Sequence, residues 1–368
     1  MSATGSSGAS GEIGGMGDVG DIGDIGDIGD RRDRGGRSPL RHLPVWRAGV
    51  PYRSLAVTRL HDVTSGEPVA EVGQANAGLI ARDLAAAPPA QPAELAELPL
   101  GERLEICRRA AALFAEGDLA IGFDGETQSP DGYLRDVSAT TGIPWSLARA
   151  NREKLRASLA QMAEVVDGLT RGLPAAALDG DGEAGAESHF QRLADVLGAV
   201  LPSNSPGVHG LWLPAPALGV GLALKPGRDE PWTPLRLLAA LAAAGCPRPA
   251  LSFYPTDHAG AAEILLRCER SLLFGDAATV RPWRGDPRVQ VHGPGYSKVL
   301  LGEDQLEQWP AHLELVVSSI LANGGRSCIN ASGVWLAAGP AGQGSREMAL
   351  ALAERLAAVE ARPLDDPR

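Results

Sequence analysis

The stretch VLGAVLPSNSPGVHGLWLPAPALGVGLALKPG (196–227) decides how this chain is read. It begins and ends on short apolar runs, VLGAVLP (196–202) and VGLALKP (220–226), without a polar residue at every second place. Runs of that length and uniformity suit strands buried on both faces, the habit of parallel sheets. Downstream, ALSFYPT (250–256) and SLLFGD (271–276) read as two further strands. Between the four lie PGVHGLWLPAPAL (206–218), TPLRLLAALAAAG (233–245) and AGAAEILLRCE (259–269), which read as helices. The middle one carries clear punctuation, with Thr233 as N-cap, Pro234 at N1, Gly245 at C′ and Pro247 beyond. Strands alternating with helices predict right-handed crossovers and a doubly wound parallel sheet, an α/β architecture. Ligands bind such sheets beyond the carboxyl ends of the strands, where Asn204, Lys225, Asp257 and Asp276 fall.

Upstream, YRSLAVTRLHDVTSGEPVAEVGQA (52–75) shows two alternating strand patterns around Thr64-Ser65-Gly66-Glu67 and reads as a hairpin. From Ala77 to Leu173 the pattern is helical, clearest in LGERLEICRRAAALFAE (100–116), with Leu104, Cys107, Ala111 and Phe114 on one face. Cys107 is therefore expected in the core. DLAIGFDGETQSPDGYLRDV (118–137) is turn-rich without a clear assignment, and ALDGDGEAGAES (177–188) reads as an exposed loop. Downstream, RVQVHGPGYSKVLLG (288–302) reads as two short strands around a Gly-rich turn. A helix over 310–323 follows, closed by Gly324 and Gly325, then a strand in ASGVWLA (331–337) and a helix over 345–361.

Residues 1–38 differ in composition: a Gly-Asp-aliphatic triplet repeats in GDVGDIGDIGDIGD (17–30) and gives way to the basic RRDRGGR (31–37). Such a segment buries too little apolar surface to offset its ordering entropy, so a disordered tail is expected. A calcium-binding repeat and a misassigned start stay open beside it. The 368 residues suffice for two or three compact domains. The net charge of −11 argues against nucleic acid, which needs a concentrated basic face. Cys107, Cys246, Cys268 and Cys328 are scattered, with no CxxC pair and no metal-like Cys/His spacing, which suits reduced thiols better than disulfides or zinc. No apolar run is long enough to span a bilayer, and the N-terminus is not a signal peptide. The expected compartment is the cytoplasm, with neither membrane nor nucleic-acid partners.

Three clusters bear on chemistry. PSNSPG (202–207) puts the carboxamide of Asn204 in a strand–helix turn, and KPG (225–227) puts Lys225 directly after a buried strand. NGGRSC (323–328) holds Cys328 on glycine-rich backbone that can approach a substrate closely. Taken singly, an Asn in such a turn is read as a cap and a Cys as a small hydrophobe. Their order and spacing, together with LLFGDAATV (272–280) and HGPGYSK (292–298), resemble the landmarks of the aldehyde dehydrogenase superfamily. Pro202-Ser203-Asn204 is similar to its Pro-x-Asn element, Lys225-Pro226 to its Lys-Pro strand end, and Phe274-Gly275-Asp276 to its Phe-x-Gly-Ser turn. His292-Gly293-Pro294-Gly295 falls on its Glu-Leu-Gly-Gly turn and Cys328 on its nucleophile, so the likeness runs from about Leu43 to Ala338.

The resemblance implies an aldehyde dehydrogenase-like fold, with a Rossmann-type cofactor domain followed by an incomplete α/β catalytic domain. It implies that Cys328 attacks a carbonyl or thioester carbon as thiolate, with Asn204 and the Cys328 backbone N–H as oxyanion donors. Lys225, Pro226, Gly275 and Asp276 would line the site of a nicotinamide dinucleotide, NADP or NAD. Four departures qualify this. His292 stands where the family has the Glu that activates water, which favours acyl exchange with coenzyme A, as in acyl-CoA reductase-like branches. A base role for His292 and a purely structural one stay open. Arg228 stands where NAD users often carry a ribose-binding Glu, which favours NADP. Asp276 replaces a small hydroxyl residue, and Val280 a common Gly, in the phosphate turn. The chain ends forty residues after Cys328, before the family's Glu-x-Phe-Gly-Pro segment, so a truncated member is expected.

The expected divisions are a tail over 1–38, the hairpin, helical region and nucleotide domain over 39–285, and the first part of a catalytic domain over 286–368. The expected substrate is a small aldehyde or acyl thioester, and the resemblance implies a homo-oligomer for the full-length protein. Alternatives are a hydrolytic aldehyde dehydrogenase with His292 as base, or an inactive remnant that only binds nucleotide or a partner.

Overall fold

The computed structural model describes residues 40–85, 90–123, 125–172, 176–179, 190–337, 343–360 and 364. The tail expected over 1–38 and most of the loop expected over 177–188 lie outside the described residues. Five short strands open the described chain: β1 (Arg41–Leu43), β2 (Val45–Arg47), β3 (Val50–Tyr52), β4 (Val57–His61) and β5 (Pro68–Gly73). β4 and β5 form the expected antiparallel hairpin, and β1 adds to β5 in parallel. Asp62 holds its turn, the carboxylate accepting the N–H groups of Thr64 and Ser65 at 2.8 Å each.

The helical region comprises α1 (Ala77–Ala85), α2 (Ala90–Glu97), α3 (Leu100–Glu116), α4 (Pro130–Thr141), α5 (Trp145–Ala160), α6 (Met162–Thr170) and α7 (Ala176–Asp179). A two-residue strand pair, β6 (Leu119–Ala120) and β7 (Thr127–Gln128), sits between α3 and α4. On α3 the residues Ile106, Cys107, Ala110, Ala111 and Phe114 are buried at helical spacing, while Leu104 stays at the margin. Cys107 is a core thiol, its pKa pushed up to about 12 by burial. The turn-rich segment resolves at Ser129, whose hydroxyl caps α4 by accepting from Gly132 N, with Pro130 in the first turn.

The apolar runs become β8 (Val196–Val200), β9 (Gly221–Lys225), β10 (Leu251–Phe253) and β11 (Arg270–Phe274), joined by β12 (Val289–His292). Their connections hold α8 (Pro214–Ala217), α9 (Trp232–Ala243), α10 (His258–Arg267) and α11 (Ala277–Val280). The five strands are parallel in the order β12-β11-β8-β9-β10, and β2 and β3 extend the β10 edge in antiparallel pairing. Trp46 pairs with Phe253, and Ala48 N donates to Ser252 Oγ. Along β9 the side chains alternate: Leu222 and Leu224 enter the large cluster with α3 and α9, and Ala223 the cluster shared with α1 and α10. Both faces are covered, so a continuously apolar strand is stable here.

Three details differ from the sequence reading. The helix expected over 206–218 is a 3-10 turn, Pro206–Leu211, followed by one helical turn. Pro214 and Pro216 supply no N–H for a longer helix. Thr233 does not cap α9, which begins at Trp232. Glu230 takes that role, its Oε1 accepting from Thr233 N at 2.8 Å and from Thr233 Oγ1 at 2.7 Å. Its Oε2 lies 3.2 Å from His209 Nε2. Trp212 Nε1 donates to His209 Nδ1, which leaves the proton on Nε2 and makes His209 the donor to Glu230. Third, the central sheet continues past the FGDAATV turn (274–280), because β12 pairs in parallel with β11.

The last elements are β13 (Lys298–Leu301), α12 (Trp309–Leu321), β14 (Gly333–Leu336) and α13 (Gln343–Ala357). β13 and β14 pair in parallel as a separate two-stranded sheet.

Candidate active site

The strand order reverses direction at β8: the chain moves from β8 to β9 and β10 on one side, then returns to β11 and β12 on the other. Crevices open beyond the carboxyl ends at such a switch point. Two clefts lie there, one on each side of the loop that leaves β8. The cleft of about 1250 Å³ is lined by Ser203, Lys225, Pro226, Arg228, Thr256 and His258, among others. The cleft of about 710 Å³ is lined by Phe274, Gly275, Asp276, His292, Gly295 and Cys328, among others. Asn204 and Arg326 line both and so form the partition between them.

In the larger cleft Lys225 ends β9 with its shaft against the protein. Burial, and then the neighbouring Arg228, lower its pKa. Arg228 is exposed at the lip. The loop following Lys225 is fixed from two sides: Ser203 Oγ accepts from Asp229 N at 3.0 Å, and Thr140 Oγ1 donates to the Asp229 carbonyl at 2.6 Å.

Asp276 caps α11, its Oδ1 accepting from Thr279 N at 2.7 Å. The backbone and side-chain hydrogen bonds of Thr279 hold its carboxyl below the usual carboxylate range. A fixed negative charge therefore occupies the donors that a phosphate would use at this turn. The Thr279 N–H at the turn after β11 is thereby engaged by the chain's own carboxylate. Asp257 likewise acts as a cap, for α10, accepting from Gly260 N at 3.0 Å.

His292 ends β12 directly opposite Phe274 of β11, and the two rings stack at 4.5 Å and 11°. Burial lowers the His292 pKa, so the ring is neutral near pH 7, and its Nε2 has no partner among the described residues. Sequence reading missed Phe274 as the residue that orients His292; the equal position of the two at adjacent strand ends was its only signal.

Cys328 is an exposed free thiol, whereas Cys107, Cys246 and Cys268 are buried, with pKa values near 12. The segment from α12 to Cys328 turns through three successive residues of positive φ: Asn323 (52°), Gly324 (68°) and Gly325 (73°). Two glycines make that turn accessible, and the Asn323 carboxamide steadies it by accepting from Asn151 Nδ2 at 2.6 Å. Arg326 reaches across to the Thr141 carbonyl at 2.7 Å. The Arg326 carbonyl accepts from Asn204 Nδ2 at 2.6 Å, which ties the loop after β8 to the segment bearing Cys328. One Nδ2 hydrogen of Asn204 is engaged there and, among the described residues, one is left, while its Oδ1 is buried without a partner among them. Gly295 lies flat on Cys328: a Cβ at residue 295 would stand 1.7 Å from the Cys328 carbonyl oxygen. The structure thus gathers Cys328, Asn204, His292, Gly275 and Asp276 around one cleft, with Lys225, Pro226 and Arg228 around its neighbour. Among the described residues no group of three or more His, Cys, Asp or Glu side chains could hold a metal ion, and no helix is long and apolar enough to cross a membrane.

A five-stranded parallel sheet whose switch point opens into two clefts, one of them beside an exposed thiol on glycine-rich backbone, defines an α/β protein of the doubly wound class. The family model described as "Aldehyde dehydrogenase family" matches residues 53–274, and the chain belongs to that family. The matched stretch ends at Phe274, ahead of His292 and Cys328. Similar solved structures include an aldehyde dehydrogenase from Brucella melitensis biovar abortus 2308, 16% identical with a TM-score of 0.68 over 89% of this chain and 66% of that one. An indole-3-acetaldehyde dehydrogenase complexed with NAD+ is 17% identical, with a TM-score of 0.69 over 89% of this chain and 65% of that one. A succinate-semialdehyde dehydrogenase from Burkholderia pseudomallei is 20% identical, with a TM-score of 0.65 over 87% and 63%. This chain thus spans just under two thirds of the length of those it resembles, and at these identities the likeness establishes the aldehyde dehydrogenase-like fold. A search of curated proteins gave no match.

Proposed function

We propose that this chain is the nucleotide-binding and nucleophile-bearing part of an NAD(P)-dependent oxidoreductase that interconverts an acyl thioester and an aldehyde through an acyl-Cys328 intermediate. The observation that carries this reading is the exposed Cys328 thiol sharing one cleft with the Asn204 carboxamide at the switch point. In the acylation step the Cys328 sulfur attacks the thioester carbon. The new S–C bond forms, the bond to the departing thiol breaks, and coenzyme A leaves as thiolate and takes a proton from solvent. Charge on the carbonyl oxygen is met by the Cys328 N–H and by the Asn204 Nδ2 hydrogen not spent on Arg326. Each such donor is typically worth ~10²–10³ in rate. Lys225 and Arg228 would hold the adenosine end of the dinucleotide, with the Arg228 guanidinium suited to a 2′-phosphate. When bound, the nicotinamide supplies the hydride chemistry. No carboxylate stands at position 292 to activate water, so acyl transfer to a thiol competes well with hydrolysis.

The test is to incubate the 368-residue chain with acetyl-CoA and map the acyl group by peptide mass. An acetyl group on Cys328, absent in Cys328→Ser, is expected, with the three buried cysteines unmodified. A parent chain that carries no acyl group, or a Cys328→Ser variant that is still acylated, ends the reading. One observation favours a second reading, hydrolytic aldehyde oxidation: the neutral, oriented His292 ring in the same cleft is a competent base. Rapid loss of the acyl group to water that stops in His292→Ala would select it.

A further inference from the structure

We propose that Asn330 is the positioning residue of the nucleophile: it locks the turn that carries Cys328 onto the end of α12 and so sets the angle at which the thiol meets a carbonyl. The inference rests on the reading of Cys328 as nucleophile. It starts from a complete hydrogen-bond account of one side chain. Ser327, Cys328, Ile329 and Asn330 form a four-residue turn, closed by Asn330 N donating to the Ser327 carbonyl at 3.1 Å. The same turn is closed a second time, by Ser327 N donating to Asn330 Oδ1 at 2.8 Å. The Asn330 Nδ2 group then lies within hydrogen-bond distance of three carbonyls at the α12 terminus, its two hydrogens shared among Ser319 and Ile320 at 3.0 Å and Ala322 at 2.8 Å.

Those carbonyls belong to the last turn of a helix, where the backbone acceptors have no intrahelical donor. Asn330 is buried, at 9% exposure, while Cys328 and Ile329 between the two closures face outward. Only a carboxamide can do both jobs, because it presents an acceptor and two donors on one rigid plane. Aspartate would keep the acceptor for Ser327 N and lose every donor. Other holds on this segment are Asn204 on the Arg326 carbonyl, the Arg326 guanidinium on the Thr141 carbonyl, a long contact of Ile329 N with Ser327 Oγ at 3.5 Å, Ala331 N on the Ser319 carbonyl at 3.2 Å, and the Gly295 backbone against the Cys328 carbonyl. Asn330 is the residue whose side chain both closes the turn and ties it to the end of α12. The Cys328 N–H proposed as oxyanion donor sits inside that closure, so its direction follows from Asn330.

The experiment compares the parent with Asn330→Ala and Asn330→Asp in the 368-residue chain. It uses three readouts: acyl transfer from acetyl-CoA to Cys328, alkylation of Cys328 by iodoacetamide, and hydrogen exchange over residues 319–330. Acyl transfer needs the oriented N–H and should fall roughly 100-fold in both variants. Alkylation needs only an accessible thiol and should stay within about threefold. Exchange of the Ser327 amide should speed up at least about tenfold in Asn330→Ala. Acyl transfer and alkylation falling together would reduce Asn330 to a structural residue and overturn the proposal, as would acyl transfer within about threefold of the parent. A parent that is not acylated at all would sink the nucleophile reading. The exchange measurement then decides separately: an unchanged Ser327 amide in Asn330→Ala overturns the role of Asn330, and its release upholds it.

Discussion

The central sheet and the β13–β14 pair are both parallel, yet they are held in place by different forces. In β9 every residue but Lys225 is buried, with both faces covered by helices. In β13 and β14 no residue is buried, and the cross-strand partners Leu300 and Trp335 are 74% and 64% exposed. On α12, for all its apolar content, only Val316 and Val317 are buried. The central-sheet half owes its order to apolar burial. The half that carries Cys328 owes it to polar bonds, three aimed at backbone carbonyls (Asn330 on α12, Asn204 on Arg326, Arg326 on Thr141) and one at a side-chain carboxamide (Asn151 on Asn323). Substitutions in the first half should therefore be felt as stability, and those in the second as chemistry.

The largest contrast is expected between Leu224→Ala and Leu300→Ala. The first empties a fully buried site in β9 and should cost about 2–5 kcal/mol. The second trims an exposed side chain and should stay within about 0.5 kcal/mol. Denaturant unfolding measures both, and equal losses would show that the β13–β14 face is covered in solution. Gly295→Ala sharpens the comparison from the other side. Its Cβ must displace the Cys328 carbonyl, and a shift of that kind should slow acylation roughly 100-fold. Dinucleotide affinity should not change, and a variant acylated at the parent rate would mean that the backbone yields without moving the thiol.

Arg228→Glu acts on the cleft beside the central sheet, under the proposed cofactor role. It should weaken NADPH binding roughly tenfold and favour NADH, as expected for a lost charged hydrogen bond. Titration of both dinucleotides reads this, and tighter NADH binding to the parent would refute the 2′-phosphate role. The smallest effect concerns pH. Burial holds the His292 pKa below 6.5, so the unfolded chain binds the proton more readily than the folded one. The contribution of His292 is intact above about 6.5 and is lost as pH falls through the lower folded value. His292→Asn should flatten the acid limb of the Tm–pH curve in that window, leaving the background from His42, whose shift has the same sign. Curves of identical shape would show that the ring is hydrated rather than buried.

What could be read in advance follows the same division. The four apolar runs and the helices at 233–245 and 259–269 announce themselves because burial writes a periodicity into local sequence. The landmarks around Asn204, Lys225 and Cys328 are legible through order and spacing. Long-range polar pairing is what stayed hidden. Thr233 looks like an N-cap until Glu230, buried against His209, supplies a stronger acceptor. VQVH reads as a short strand beyond the nucleotide domain, and its place in the central sheet shows only when β11 offers it a parallel edge. Asp257 and Asp276 sit where ligands bind, yet their carboxylates are already taken as helix caps. Asn330 shows locally only as a turn residue bonded to Ser327, since its other partners lie on the preceding helix and its full role exists only once that helix has docked.

The antiparallel extension of the central sheet has a further consequence, in time rather than in space. β2 leaves the ribosome well before the backbone it pairs with, β10, since Ala48 and Ser252 are separated by 204 residues. At ordinary elongation rates that partner is synthesised roughly 10–40 s later. Throughout that interval Val45 and Trp46, both fully or nearly fully buried in the finished protein, are an apolar strand without a sheet. The closing of this edge is among the most non-local events in the chain, and on topological grounds it should come late in folding.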